Sequence, residues 1–237
     1  MEDRLAGSIV PVLSLSLDPG ESIVAEAGEF SWMTDSIQMT GPGPAGRAAE
    51  GDPAGGGPAG GSSADGSPAG RPGGDATAMP LSTFTAKGTA GTVAFASRLP
   101  GSILGVEVGP HARYLVHRDG FVAGTPGVQV WTGSRHSFAA GAYAQAGFAL
   151  QQVRGTGRAW VEFAGDIVRL DLAAGESLRA HPGHVGMFAA SVAFQLMRVP
   201  GLANRSFGPD AHYFAVLSGP GPVWLQTLAS PGAAAAC

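Results

Sequence analysis

Two stretches of this chain, Leu15 to Phe30 "LSLDPGESIVAEAGEF" and Leu170 to Val185 "LDLAAGESLRAHPGHV", align without a gap and share seven of sixteen residues. The shared positions are informative by type. Leu15 and Leu17, like Leu170 and Leu172, alternate with polar residues, which is the period of a strand with one buried face. Asp18-Pro19-Gly20-Glu21 then reads as a type II turn, with Pro favoured at the second position and Gly at the third, where φ is positive. The copy, Ala173-Ala174-Gly175-Glu176, drops the optional Pro and keeps the Gly the turn requires. Glu21 and Glu176 stand beside that Gly in both copies, so they read as turn chemistry rather than as a catalytic carboxylate pair. Gly28 and Gly183, eight residues beyond the turn glycines, read as a second obligatory bend.

A third, weaker copy lies at Val106 to Phe121, "VEVGPHARYLVHRDGF", where Val106, Val108, Tyr114, Val116 and Phe121 take the places of Leu15, Leu17, Ile23, Ala25 and Phe30. A second half-motif also recurs. It reads "TAGTVAFAS" from Thr89, "GTGRAWVEF" from Gly155 and "GPGPVWLQT" from Gly219. Gly155 matches Gly219, Gly157 matches Gly221 and Trp160 matches Trp224 at a spacing of 64, while the first copy keeps Gly91 and has Ala94 in place of Trp. Read as glycine half followed by turn half, two units are complete, from Phe84 to about Phe121 and from Leu150 to about Val185. The third is then split between the chain ends. This frame predicts that N- and C-terminal strands pair and close a pseudo-threefold, all-β assembly of sandwich- or barrel-like units.

Composition bounds the rest. With 237 residues and 44% hydrophobic side chains the chain can bury a full core, read here as a single β-rich domain over residues 1–237. Within it, Gly41 to about Ala78 is dominated by Gly, Ala and Pro, has no large apolar side chain, and is expected to be a disordered insert. Its "GPGPAG" formally matches G-x-G-x-x-G, but no helix pattern follows, so a nucleotide fingerprint is rejected. The formal charge of −4 and scattered Arg residues give no basic patch, which disfavours nucleic acid. One cysteine, Cys237, leaves no internal disulfide and no multi-thiol metal site. No apolar run is long enough to span a bilayer as a helix. A soluble, cytoplasmic protein is the expectation.

The segments "PVLSLSLDPGESIVAEAGEFSWM", "STFTAKGTAGTVAFASRLPGSILGVEV" and "SGPGPVWLQT", in this order, resemble bacterial members of the altered-inheritance-of-mitochondria family over nearly the whole ordered chain. The resemblance implies an all-β fold of the tryptophan-RNA-binding-attenuator-like type, built by internal duplication, with no established biochemical role and no catalytic residues to carry over. Similar bacterial proteins have a Gly-rich loop with interspersed Leu and Phe where this chain has its Pro/Ala/Gly insert.

Candidate chemistry is sparse. His181 and His184, three residues apart in a bend, are the best metal candidates, with Asp166 and Glu176 as further donors, but divalent sites need three or four convergent ligands. His111, His117, His136 and His212 are isolated in sequence, and no nucleophile, base and orienting group can be assembled from motifs. Trp160 and Trp224 point away from the faces carrying Ala159, Val161 and Phe163, and Val223 and Leu225, which suits inter-sheet packing or an interaction surface; base stacking is the rival reading. The expectation is a non-enzymatic, self-associating scaffold with no cofactor or metal, a homo-oligomer with an unidentified protein partner facing three equivalent loops. A small-ligand or single-stranded nucleic-acid binder is the alternative, and a metal-dependent enzyme around His181 and His184 the second.

Overall fold

The alternating stretches all become strands. Among residues 1–42, 77–132, 150–198 and 213–229, which this computed structural model describes, there are twenty strands and one 3-10 turn at Pro182–His184. They fall into three units of one design. The first holds β1 (Glu2–Ala6), β2 (Val12–Leu17), β3 (Ser22–Ala25), β4 (Trp32–Met33), β5 (Ile37–Thr40), β6 (Thr77–Ala78), β7 (Ser82–Ala86) and β8 (Gly91–Ala96). The second holds β9 (Gly101–Val108), β10 (Tyr114–His117), β11 (Phe121–Gly124), β12 (Val128–Thr132), β13 (Leu150–Gly155) and β14 (Gly157–Ala164). The third holds β15 (Ile167–Leu172), β16 (Ser177–Ala180), β17 (Val185–Ala189), β18 (Ala193–Arg198), β19 (Tyr213–Ser218) and β20 (Gly221–Gln226).

Four antiparallel pairings recur in every unit. The strand before the turn lies beside the strand of the glycine half: β2 with β8, β9 with β14, β15 with β20. The strand after the turn pairs as β3 with β7, β10 with β13 and β16 with β19. The outer edges of β7, β13 and β19 take β5, β12 and β18 as hairpin partners. A short strand, β4, β11 or β17, lies on the other edge of β8, β14 or β20.

Neighbouring units are then joined edge to edge. β3 pairs with β11 at Val24 and Gly124, and β10 pairs with β17 over Tyr114–Val116. The result is a six-stranded sheet, β5-β7-β3-β11-β14-β9, built from the first and second units, and a seven-stranded sheet, β15-β20-β17-β10-β13-β12-β6, built from the second and third with β6 of the first at its edge. The leftover strands form β1-β2-β8-β4 at one end of the series and β16-β19-β18 at the other.

This register corrects the expected frame. Leu15 lies opposite Val93, and Trp224 lies between Arg169 and Met187. A strand has two edges; those of β2 are taken by β1 and β8, and those of β20 by β15 and β17. The N- and C-terminal strands therefore do not pair, and no sheet closes among the described residues. Each unit is contiguous in the chain, turn half first. The repeat and the all-β class stand; the joining of chain ends does not.

Residues 43–76 of the expected disordered insert lie outside the described residues. Its last two residues, Thr77 and Ala78, form β6 instead and pair with Trp131 and Thr132. Composition gave no hint of this, because a ladder hydrogen bond needs a backbone and no particular side chain. No helix among the described residues is long and apolar enough to cross a membrane.

Each unit has its own core, and the first two cores are finished by the unit that follows. Leu13, Leu15, Leu17, Ile23, Phe84 and Phe95 fill the first, joined by Ile103, Val122, Ala123 and Trp160 of the second unit. Val106, Val116, Phe121, Val130 and Val153 fill the second, joined by Met187 and Trp224 of the third. Leu172, Phe188, Phe194, Leu217 and Val223 fill the last, with Leu115 and Leu150 of the second unit beside them.

Candidate interaction surfaces

The repeated turns are built as their residue types require. Gly20 and Gly175 have φ of +88° and +83°, and the turns close through Glu21 N to Asp18 O (2.9 Å) and Glu176 N to Ala173 O (3.0 Å). The carboxylates of Glu21 and Glu176 reach back to accept from the backbone N–H of Asp18 and Ala173, both at 2.8 Å. These glutamates hold turns. Gly28 departs from the expectation: its φ is not positive and a Cβ there would meet open space, so the bend does not need glycine. Gly183 lies in the 3-10 turn, also without positive φ. In the glycine half the requirement is real. Gly155, Gly157 and Gly221 have φ of +106°, +130° and +143°. A Cβ on Gly155 would run into the Gly127 carbonyl, and one on Gly219 into the Ala173 carbonyl.

Trp160 and Trp224 do lie on the face opposite their apolar neighbours, and both faces are buried. Trp160 is 1% exposed, enters the first core and donates from Nε1 to Asp3 Oδ2 at 3.1 Å. Trp224 is 7% exposed, enters the second core and meets Tyr114 edge-on at 5.8 Å. Arg158 and Arg169 lie over the two rings, at 5.5 and 5.4 Å from their centroids. Neither indole offers a free face to a base; each plugs the preceding unit.

His117, His181 and His184 are likewise engaged with the scaffold. His184 Nδ1 donates to the Gln226 carbonyl at 2.8 Å, and His117 Nε2 lies 2.8 Å from the equivalent carbonyl of Glu162. In the first unit the same station is held by Ser31 Oγ, which accepts from Ala96 N at 2.9 Å. The His181 and His184 rings are 5.7 Å apart, and His181 Nδ1 accepts from Gly183 N at 3.2 Å. Asp166 and Glu176 do not join them: no group of three or more His, Cys, Asp or Glu side chains converges among the described residues. His136 and His212 lie outside those residues.

Sequence reading missed one polar cluster. Arg98 pairs with Glu29 at 3.1 Å and with Glu162 at 3.2 Å, and donates to the Asp119 carbonyl. Ser97 Oγ also donates to Glu162, at 3.1 Å. Burial works against the Arg98 charge, but Glu29 and Glu162 outweigh it and raise its pKa. Glu29 moves the other way from a simple ion pair: burial pushes its carboxyl up, against the pull of Arg98. The cluster ties the first unit to the second, and only the pairing of units brings its members together.

One further feature is repeated. Each unit has a hairpin at the same station: β12 and β13, where Thr132 faces Gln151, joined by segment 133–149; β18 and β19, where Arg198 faces Tyr213, joined by segment 199–212; and β5 and β7, where Thr40 faces Thr83, with segment 43–76 and β6 between them in the chain. An open recess of about 240 Å³ also lies at the boundary of the second and third units, lined by His111, Arg113 and Ser191 among others.

Comparison with known proteins bears on the whole architecture. The family model described as "Mitochondrial biogenesis AIM24" matches residues 4–228, and the chain belongs to that family. A Streptococcus pyogenes protein, SPYM3_0169, solved by X-ray crystallography, superposes with a TM-score of 0.66 at 15% identity, over 96% of this chain and 94% of that one. At that identity the likeness is one of fold. No curated protein matches the chain.

Proposed function

We propose that this member of the Mitochondrial biogenesis AIM24 family is a non-enzymatic interaction scaffold that presents three equivalent hairpins to a protein partner in the cytoplasm. The observation carrying this reading is the hairpin repeated at one station in each unit. Loops on a rigid sheet are where proteins place recognition, because the loop can vary while the strands fix its position. The engagement of Glu21, Glu176, His117 and His184 in turns and strand ties points the same way, since those side chains serve the scaffold. A chain with a single cysteine suits a reducing compartment.

The test is affinity capture from the native host, comparing the full chain with one in which residues 133–149 and 199–212 are each replaced by a short Asn-Gly turn and residues 43–76 by a shorter Gly-Ser linker. The melting temperature should change little, because the arms pair without the tips. A partner held by the full chain should be lost from the trimmed one. A partner retained equally by both would sink the proposal.

A further inference from the structure

Two strand edges are unoccupied, among the described residues, at the stations where this chain elsewhere joins unit to unit. Among the described residues, β16 pairs only with β19, and β4 only with β8. Their counterparts are doubly paired. Through β3 and β10 the first and second units bind the next unit; through β11 and β17 the second and third bind the one before. The third unit thus ends in a free outgoing edge, and the first begins with a free incoming one.

The side chains match the edges. At each finished joint, two residues facing one another across strands enter the preceding core: Ala123 with Trp160, then Met187 with Trp224. The equivalent couple in the first unit is Trp32 with Ala94, the large ring having changed strands. Among the described residues Trp32 enters none of the three cores, and it is 54% exposed. At the other end, the core that should receive such a ring is open. Val168 is 44% exposed where its counterpart Leu13 is 0%. Leu170, Leu178 and Ala180 are only half-buried where Leu15, Ile23 and Ala25 are fully buried.

We propose that this chain self-associates head to tail, β16 of one copy pairing with β4 of a second while Trp32 of the second fills the open rim of the third core. The existing joints dictate the register. Val24 faces Gly124 and Leu115 faces Phe188, which places Arg179 opposite Met33. Val116 faces Met187 and Tyr114 faces Ala189, which places Ala180 opposite Trp32 and Leu178 opposite Thr34. Arg179 stands where Val24 and Leu115 stand in the other units; its charge keeps a free edge soluble, and its methylene stem can lie over Met33 with the guanidinium in water. A second copy is the occupant because both halves of the contact are present on one chain, which already makes the same joint twice internally. Such a contact is heterologous, so it propagates into a closed ring or an open filament. The inference goes beyond the display of hairpins and does not depend on it.

The experiment uses sedimentation velocity on the full chain over a concentration series, with Trp32→Glu to spoil the plug and Leu178→Glu to spoil the rim. Val168→Glu, at a more exposed rim position, replaces Leu178→Glu if that variant melts early. Wild type should associate, and each variant should weaken association by about thirtyfold or more, as loss of a central anchor does. Because each variant keeps one good edge, an equimolar mixture should recover a dimer that grows no further. A wild type that stays monomeric, association untouched by both variants, or variants that fail to recombine would each overturn the proposal. Slow hydrogen exchange at Leu178–Ala180 in a monomer would assign the edge to the chain's own remaining residues, and overturn it too. Partner capture can be repeated on the monomeric variants, so failure here leaves the hairpin reading separately testable.

Discussion

β3, Ser22–Ala25, and β16, Ser177–Ala180, share two of four residues, follow the same turn and pair with equivalent strands, yet β3 is buried along its last three residues while β16 alternates between exposed and half-buried. The difference lies beyond the hairpin. β3 has β11 on its far edge and Trp160 over its core; β16 has neither among the described residues. Local sequence makes the strand and its hairpin, and the following unit supplies the second layer of burial. One repeat thus yields an interior joint or an open end according to what comes next in the chain.

The sharpest way to break this comparison is to remove the plug. Trp160→Ala should cost about 3–5 kcal/mol, the range for deleting a large buried ring and leaving a cavity. Trp32→Ala, at the exposed station, should change the monomer by no more than about 0.5 kcal/mol. Urea unfolding of both variants tests the contrast, and equal losses would contradict it.

The second contrast is between glycines that are forced and those that are not. Gly155→Ala meets a carbonyl and a positive φ and should cost about 1–3 kcal/mol. Gly28→Ala meets neither, and should be neutral or slightly stabilising because it restricts the unfolded chain. Thermal denaturation of the two proteins would show whether the second bend is optional, as its geometry says.

Arg98 holds the first joint by charge. Arg98→Met leaves Glu29 and Glu162 facing each other in a partly buried site, and should destabilise by about 1–2 kcal/mol after allowance for solvent around the guanidinium. The loss should depend on pH and show in unfolding curves taken at neutral and mildly acidic pH. Smallest of all is Glu29 itself. Its folded pKa is raised above the ordinary carboxylate value, so its favourable contribution is present below that value and is lost as pH rises through the raised one. The stability of wild type relative to Glu29→Gln should therefore fall as pH rises through the carboxylate range, read by urea unfolding at stepped pH. A difference that grows with pH would show that Arg98, not burial, dominates the site.

Much of this was legible in the residues. Period-2 alternation gave the strands, Gly20 and Gly175 gave the turn, and the opposed faces around Trp160 and Trp224 were read correctly. Missed were Arg98 with its carboxylates, which meet only across a joint between units, and the exchange of Trp and Ala between positions 32 and 94. A signal for the exchange existed: aligning the short strands sets Trp32 against Ala123 and Met187, a large exposed ring against two buried residues. Gly28 recurs without steric need, and only backbone angles separate recurrence from need.

By itself the sequence determined that this chain is a threefold repetition of one antiparallel design, since turn chemistry and alternation act within a few residues and need no partner. The frame of the unit, the open series in place of joined ends, and the two unmatched edges were decided by tertiary structure. Strand pairing is a competition for a limited number of edges, and which strand occupies an edge depends on all the others at once.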